Sequence, residues 1–287
     1  MEILVHILFI LLLKLMILMS LKEAVKSMIF SGSSIISDLV TDKAIITSGS
    51  CTLQGNLECN GFRSSGTMHG TGNILTHKNF ASSGTIKLEG EIECDGNAKF
   101  SGSAKIYGNI VIKRSLISSG ILNLSGPLKV GLEALSSGST KCDSLLVNGL
   151  LSVSGSVKAL EVKAGEGIKS SGSISVAKDI DSSKFVDITG KLQAGGNIYG
   201  DNVLIDYSRK EKIVKFNNFH YFVTGNIHAK DLVSINRTLV EGDIRGRSII
   251  VERYSQVDGT IYYVDDYIID DKAKISNPPV QIQLEDL

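Results

Sequence analysis

Four cysteines, five histidines and one acidic run are the residues of this 287-residue chain whose chemistry could exceed packing. The cysteines are Cys51, Cys59, Cys94 and Cys142. None stands at the Cys-x-x-Cys spacing of a zinc site. Cys59 and Cys94 fall on the same strand position two repeats apart, about 9.6 Å by strand spacing. A disulfide tolerates Cα atoms only to roughly 7 Å. All four read as small buried hydrophobes, and reduced thiols suit a cytoplasmic address. His69, His77 and His228 fall on outward positions, and nothing in their spacing makes them converge on a metal. The run Asp265 to Asp271 (DDYIIDD) reads as a solvated acidic loop, because the Gly-Gly-x-Gly-x-Asp repeat of calcium solenoids is absent. Serines are abundant as Ser-Ser-Gly, but no Gly-x-Ser-x-Gly elbow with its acid and histidine occurs. Gly70-Thr71-Gly72 and Gly165-Glu166-Gly167 lack the helix and the Gly-Lys-Ser/Thr of a phosphate loop. The expectation is therefore no catalytic, cofactor-binding or metal-binding residue, and no enzyme.

Composition narrows the class further. Thirty basic and 30 acidic side chains balance to a net charge of zero. That gives no bulk attraction to nucleic acid. Glycine is abundant (29), proline scarce (3), tryptophan absent and aromatics 6%. A disordered chain would carry more charge and fewer aliphatics.

The elements come from a repeat. Glycines of Ser-Gly or Thr-Gly type stand at 32, 49, 66, 84, 102, 120, 138, 155, 172, 190 and 225, continued by Gly242 and Gly259. The steps are 17 or 18 residues, with one double step from Gly190 to Gly225 that leaves room for a turn lacking its glycine. Within a turn the unit is six residues, Gly-x-Φ-x-Φ-x with Φ apolar. Between 86 and 130 the inward positions are 86, 88, 92, 94, 98, 100, 104, 106, 110, 112, 116, 118, 122, 124, 128 and 130, of which only Ser118 is polar. Alternation over four or five residues is a half-buried strand, and glycine marks the corner. Helical spacing of apolar residues is missing here. Three short strands per turn without helices predict an all-β, three-sided parallel β-helix of about 14 turns, on the order of 65 Å long. An antiparallel sandwich would not keep a six-residue beat for so long. In the left-handed hexapeptide helix of acyltransferases the glycine follows a large aliphatic residue. Here it follows a polar one, as in Gly90-Glu91-Ile92-Glu93-Cys94, which favours the right-handed family.

On these residues the chain resembles the bactofilins, polymer-forming bacterial cytoskeletal proteins. The resemblance is sharpest over Val240 to Ile282. It also rests on a recurring Gly-Asn/Asp-Ile element at Gly72-Asn73-Ile74, Gly108-Asn109-Ile110, Gly196-Asn197-Ile198, Gly225-Asn226-Ile227 and Gly242-Asp243-Ile244. It implies a right-handed three-sided β-helix that polymerises end to end without nucleotide. It further implies a scaffold near the membrane, often carried there by an N-terminal segment. The solenoid of this chain is about twice as long as a typical member's.

Residues 1–28 are expected to form an apolar N-terminal helix, either a membrane anchor or a cap on the first turn, with a secretion signal as a further option. The apolar run Ile3 to Met19 carries Ile3, Leu4, Ile7, Leu8, Leu11, Leu12, Leu15 and Leu18 as its membrane-facing residues. As a helix it spans about 26 Å against a bilayer core of about 30 Å. Lys14, Lys22 and Lys26 would hold the solenoid on the cytoplasmic side, at the inner face of the membrane. The β-helix is expected over 29–277, followed by a tail at 278–287.

One segment, about 207–224, breaks the pattern and reads as an irregular turn. Arg209, Lys210, Lys212, Lys215, Phe216, Phe219 and Phe222 there could form a lateral contact for an acidic partner or anionic lipid. The ends of a solenoid expose unpaired strands and an apolar cross-section, templates for another copy. Ile261, Tyr263, Ile268, Ile275, Val280 and Ile282 are the candidate C-terminal end contact. The reading is a self-assembling, membrane-associated scaffold without cofactor, with self and membrane as partners and no nucleic acid. An exported adhesin-like surface solenoid is the alternative, and an acyltransferase comes third.

Overall fold

The computed structural model describes residues 27–206 and 219–287. These form 36 strands and one 3-10 turn, Leu284–Asp286. The strands pair in parallel and fall into three ladders. Ladder A begins after the Ser-Gly corner and includes Thr85–Glu89, Ser103–Tyr107 and Ile121–Leu124. Ladder B includes Ile92–Cys94, Ile110–Ile112 and Leu128–Val130. Ladder C includes Ala98–Phe100, Leu116–Ser118 and Ala134–Ser136. The chain visits A, B and C in turn and repeats this for about 14 turns, a parallel β-solenoid.

The alternation in the sequence explains the burial. Every inward position expected between 86 and 130 is buried, Ser118 included. Outward neighbours such as Lys87, Glu93 and Lys99 are exposed. The core is one continuous column of aliphatics from Ile36 to Ile261. Burying such side chains contributes about 1.5–3 kcal/mol each. Where ladder C supplies aromatics they stack: Phe62 on Phe80 at 5.1 Å and Phe80 on Phe100 at 5.2 Å between ring centroids.

Two kinds of corner hold the turns together. From Gly49 to Gly190 the corner before ladder A requires glycine: a Cβ built on Gly102, for example, would land on the carbonyl oxygen of Gly84. At the corner before ladder B, Asn or Asp side chains reach the next turn. Asn56 N–H donates to Asp38 Oδ1 (2.8 Å), Asn73 N–H to Asn56 Oδ1 (3.0 Å) and Glu91 N–H to Asn73 Oδ1 (2.9 Å). The same chain of bonds runs from Asp179 through Asn197, Asn226 and Asp243 to Thr260. The bond to the next turn's N–H uses the side-chain oxygen, so Asn and Asp interchange in it. This is the physical content of the Gly-Asn/Asp-Ile element.

Three expectations need correction. The double glycine step holds no hidden turn. Leu192 pairs directly with Tyr221, and Asn226 N–H bonds Asn197 Oδ1 across 29 residues. The extra length enters at one corner, between Asp206 and Phe219. Gly190 stacks on Gly172 at the corner before ladder A, whereas Gly225 stacks on Gly196 at the corner before ladder B. The spacing series therefore jumped from one corner to the other, and Tyr221–Val223 is a regular strand of ladder A. Second, Ser27 and Met28, placed by the sequence in the helical segment, are strand: Ser27–Phe30 pairs with Ala44–Thr47. The remainder of that segment, residues 1–26, lies outside the described residues. Third, the C-terminal tail continues the solenoid through Val280–Gln281, which pairs with Tyr262 and Tyr263.

Candidate functional site

The cysteines sit inside the core. Cys59 pairs with Thr76 and Thr76 with Cys94, which puts the two thiols two turns apart on ladder B. All four are free and buried. Burial pushes Cys59 up to about 11 and Cys142 up to about 12, and also raises Cys51. Such thiols stay protonated and unreactive.

The histidines do not converge. His69 lies on the outside of ladder A beside Thr52 (3.4 Å). His77 bridges neighbouring turns, with Nε2 2.9 Å from Glu58 and Nδ1 3.2 Å from Asp95. Both contacts raise its pKa, Glu58 more than Asp95. Lys113 continues this charge ladder, 2.6 Å from Asp95. His228 on ladder B stacks on Tyr199 at 5.3 Å, and its partial burial lowers its pKa, helped by Arg245. Arg245 in turn lies over Tyr262 at 4.6 Å. These are stacked outer columns, one residue per turn. The acidic run is not a free loop: Asp265 to Ile269 belong to the strand Ile261–Ile269, and Asp265 is paired with Arg247 (2.8 Å). Among the described residues no group of three or more His, Cys, Asp or Glu converges as a metal site.

Besides a small recess of about 170 Å³ on ladder C beside Leu135, Lys169 and Asp187, two shallow grooves lie on the outside, where small side chains interrupt long ones. One, about 480 Å³, is on ladder A between Lys141, Lys158, Gln193, Phe222 and Leu239. The other, about 690 Å³, is on ladder C, floored by Gly61 and Ala81 and rimmed by Ile46, Arg63, Lys78 and Lys99. The first is also lined by Cys142, Asp143 and Glu241, but burial pushes the Cys142 thiol up to about 12, so it stays protonated.

The candidate lateral contact divides. Arg209, Lys210, Lys212, Lys215 and Phe216 lie outside the described residues. Phe222 is exposed on ladder A and meets Phe219 edge-on at 6.3 Å between ring centroids. The candidate end contact also divides. Ile261 is wholly buried one turn inside the end, so it is not a contact residue. Ile268 and Val280 are exposed, but in register with Ile250 and Tyr262, which places them on the outer sides of ladders C and B. Tyr263 and Ile275 pack against the core from the last turn, and Ile282 is half-buried. Sequence reasoning missed Tyr267, half-exposed and packed on Tyr263 at 4.7 Å, because the inward register is invisible beyond the last clear repeat.

The ends are the most distinctive feature. Seven hydrophobics pack against the core while only partly buried: Met28, Phe30, Leu39, Tyr263, Ile269, Ala273 and Ile275. The first three belong to the first turn and the other four to the last. The membrane segment Ile3 to Leu18 lies outside the described residues, and among those described no helix is long and apolar enough to cross a membrane. Set against known proteins, the chain matches no family model, no curated protein and no solved structure.

Proposed function

We propose that this chain is a bactofilin-like, non-enzymatic scaffold. It is a right-handed, three-walled rod that self-assembles through its ends into nucleotide-independent filaments at the inner face of a membrane. The observation that carries this reading is at the two ends: among the described residues, the core's incompletely covered hydrophobics lie in the first and last turns. Stacking a second copy there continues backbone ladders and buries apolar surface, so assembly needs no energy input. The Gly-Asn/Asp-Ile corners are the motif on which the family resemblance rests. The apolar run Ile3 to Met19 and the following lysines support membrane association. Electron microscopy of the full chain without nucleotide tests the reading. Filaments one rod wide are expected, and single rods at high protein concentration would refute it.

A further inference from the structure

Ladder C carries an outward column, in register through every turn, that differs from those of the other two. It reads Ile29, Ile46, Arg63, Ala81, Lys99, Ile117, Leu135, Ser152, Lys169, Asp187, Leu204, Ser234, Ile250, Ile268. Ile29, Ile117, Leu135 and Ile268 expose 70%, 40%, 42% and 60% of their surface. Three residues of the column are basic and one, Asp187, is acidic. Over the same height ladder A's outward column holds five lysines (Lys87, Lys105, Lys141, Lys158, Lys274) and two aliphatics, Ile35 and Leu239. Ladder B's column sets five aliphatics among three acidic residues (Glu58, Glu93, Asp181) and three basic ones (Lys129, Lys163, Arg245), with no net charge between them. Ladder C has the most aliphatics of the three columns, seven, together with a net excess of basic charge.

We propose that ladder C is the side of the rod that lies on an anionic lipid bilayer. This rests on the membrane association proposed above and names the surface responsible. Aliphatic side chains entering the headgroup boundary, with arginine and lysine between them to meet lipid phosphates, are what interfacial binding requires. The groove between Ile46 and Lys99 adds a recess rimmed by Arg63, Lys78 and Lys99, and no acidic residue lines it. A phosphate headgroup matches that charge. A flat sheet contacting lipid along its whole length leaves both ends free, so this docking is compatible with growth of a filament along the membrane. A second copy is the competing occupant, but like columns facing each other would oppose Arg63, Lys99 and Lys169 to their own kind.

The test places an environment-sensitive thiol probe on each ladder within one turn of the full chain, at Lys105→Cys (A), Val111→Cys (B) and Ile117→Cys (C). The native thiols are buried, so the probe reports the introduced one. Vesicles of equal parts phosphatidylcholine and phosphatidylglycerol are added, with pure phosphatidylcholine as the uncharged arm. A blue shift at 117 alone, on the charged vesicles, supports the proposal. Vesicle binding with the shift at 105 or 111, or at none of the three, overturns it and leaves membrane association standing. No vesicle binding at all overturns both. A shift at 117 in concentrated protein without lipid assigns ladder C to self-contact and also overturns the proposal. As a second arm, Ile117→Glu with Leu135→Glu should weaken binding to charged vesicles about tenfold. Val111→Glu, equally outward, should leave it unchanged.

Discussion

At the residue scale the solenoid is sensitive to what each inward position does with its polar atoms. Thr47, Ser64 and Ser82 stack on consecutive turns of ladder C, and their buried hydroxyls have no hydrogen-bond partner among the described residues. Ser136 sits two turns beyond Phe100 in the same column, but its hydroxyl is 3.0 Å from that of Thr140. An unpaired buried hydroxyl costs about 1–3 kcal/mol, and a paired one contributes about 1 kcal/mol. Ser82→Ala should therefore raise the urea midpoint and Ser136→Ala should lower it, at unchanged slope. A fall in both would show that Ser82 has a partner. The two described outward histidines with shifted pKa values should titrate with opposite effects. His77, raised by Glu58 and Asp95, adds stability that is complete below its unfolded pKa and is lost as pH rises through its folded value. His228, lowered by burial, adds stability present above its unfolded pKa and lost as pH falls toward its folded value. Proton NMR titration of the two rings checks the signs: His77 should move down in Glu58→Gln, and His228 should not respond. The inward residues were legible because alternation marks them directly, one beside the next. The pairing of Ser136 with Thr140 was not, because it depends on which corner separates two strands.

At the element scale, the corner decides whether one turn fixes the next. The Gly-Asn/Asp-Ile element was visible in the sequence as a recurrence. Its bond was not, since donor and acceptor belong to different turns, 17 or 18 residues apart and 29 at the insertion. The jump of the glycine series from Gly190 to Gly225 has the same origin. Both corners carry glycine, and spacing alone cannot say which corner a glycine serves. Asn226 occupies the corner just past the insertion. Its N–H donates to Asn197 Oδ1 at 2.8 Å, and its Oδ1 accepts from Asp243 N–H at 2.7 Å. Asn226→Ala removes that acceptor and should destabilise by about 1–2 kcal/mol, with faster amide exchange at Asp243. Asn226→Asp keeps the oxygen, as Asp38, Asp179 and Asp243 do at equivalent corners, and should restore protection. Equal exchange in the Ala and Asp variants would mean that the backbone alone holds the corner.

At the scale of the whole molecule the two ends are unequal, and the inequality bears on assembly. The first turn presents full strands, Ser27–Phe30 of four residues and Ser33–Val40 of eight. Its outward positions Ile29, Ile35 and Val40 are all exposed aliphatics, one on each ladder. The last turn tapers to Lys274–Ile275 and Val280–Gln281, of two residues each, with Pro278 and Pro279 before the second. Proline cannot donate to a ladder and short edges pair weakly, a common way to blunt a sheet edge. Among the described residues the first turn is thus the better template. If every contact joined a first turn to a last turn, blocking either end would abolish all contacts equally. Phe30→Glu places a charge against the apolar opening of the first turn, and Ile275→Glu does the same at the last. Neither side chain is fully buried, so both variants should keep the strand signal in circular dichroism. Phe30→Glu is expected to reduce assembly more than Ile275→Glu in sedimentation velocity and electron microscopy. Equal losses would mean that unlike ends meet, with the tapered end contributing as much as the open one. Undiminished filaments in both variants would locate self-assembly on the sides of the rod, where ladder C would then compete for the same surface as lipid.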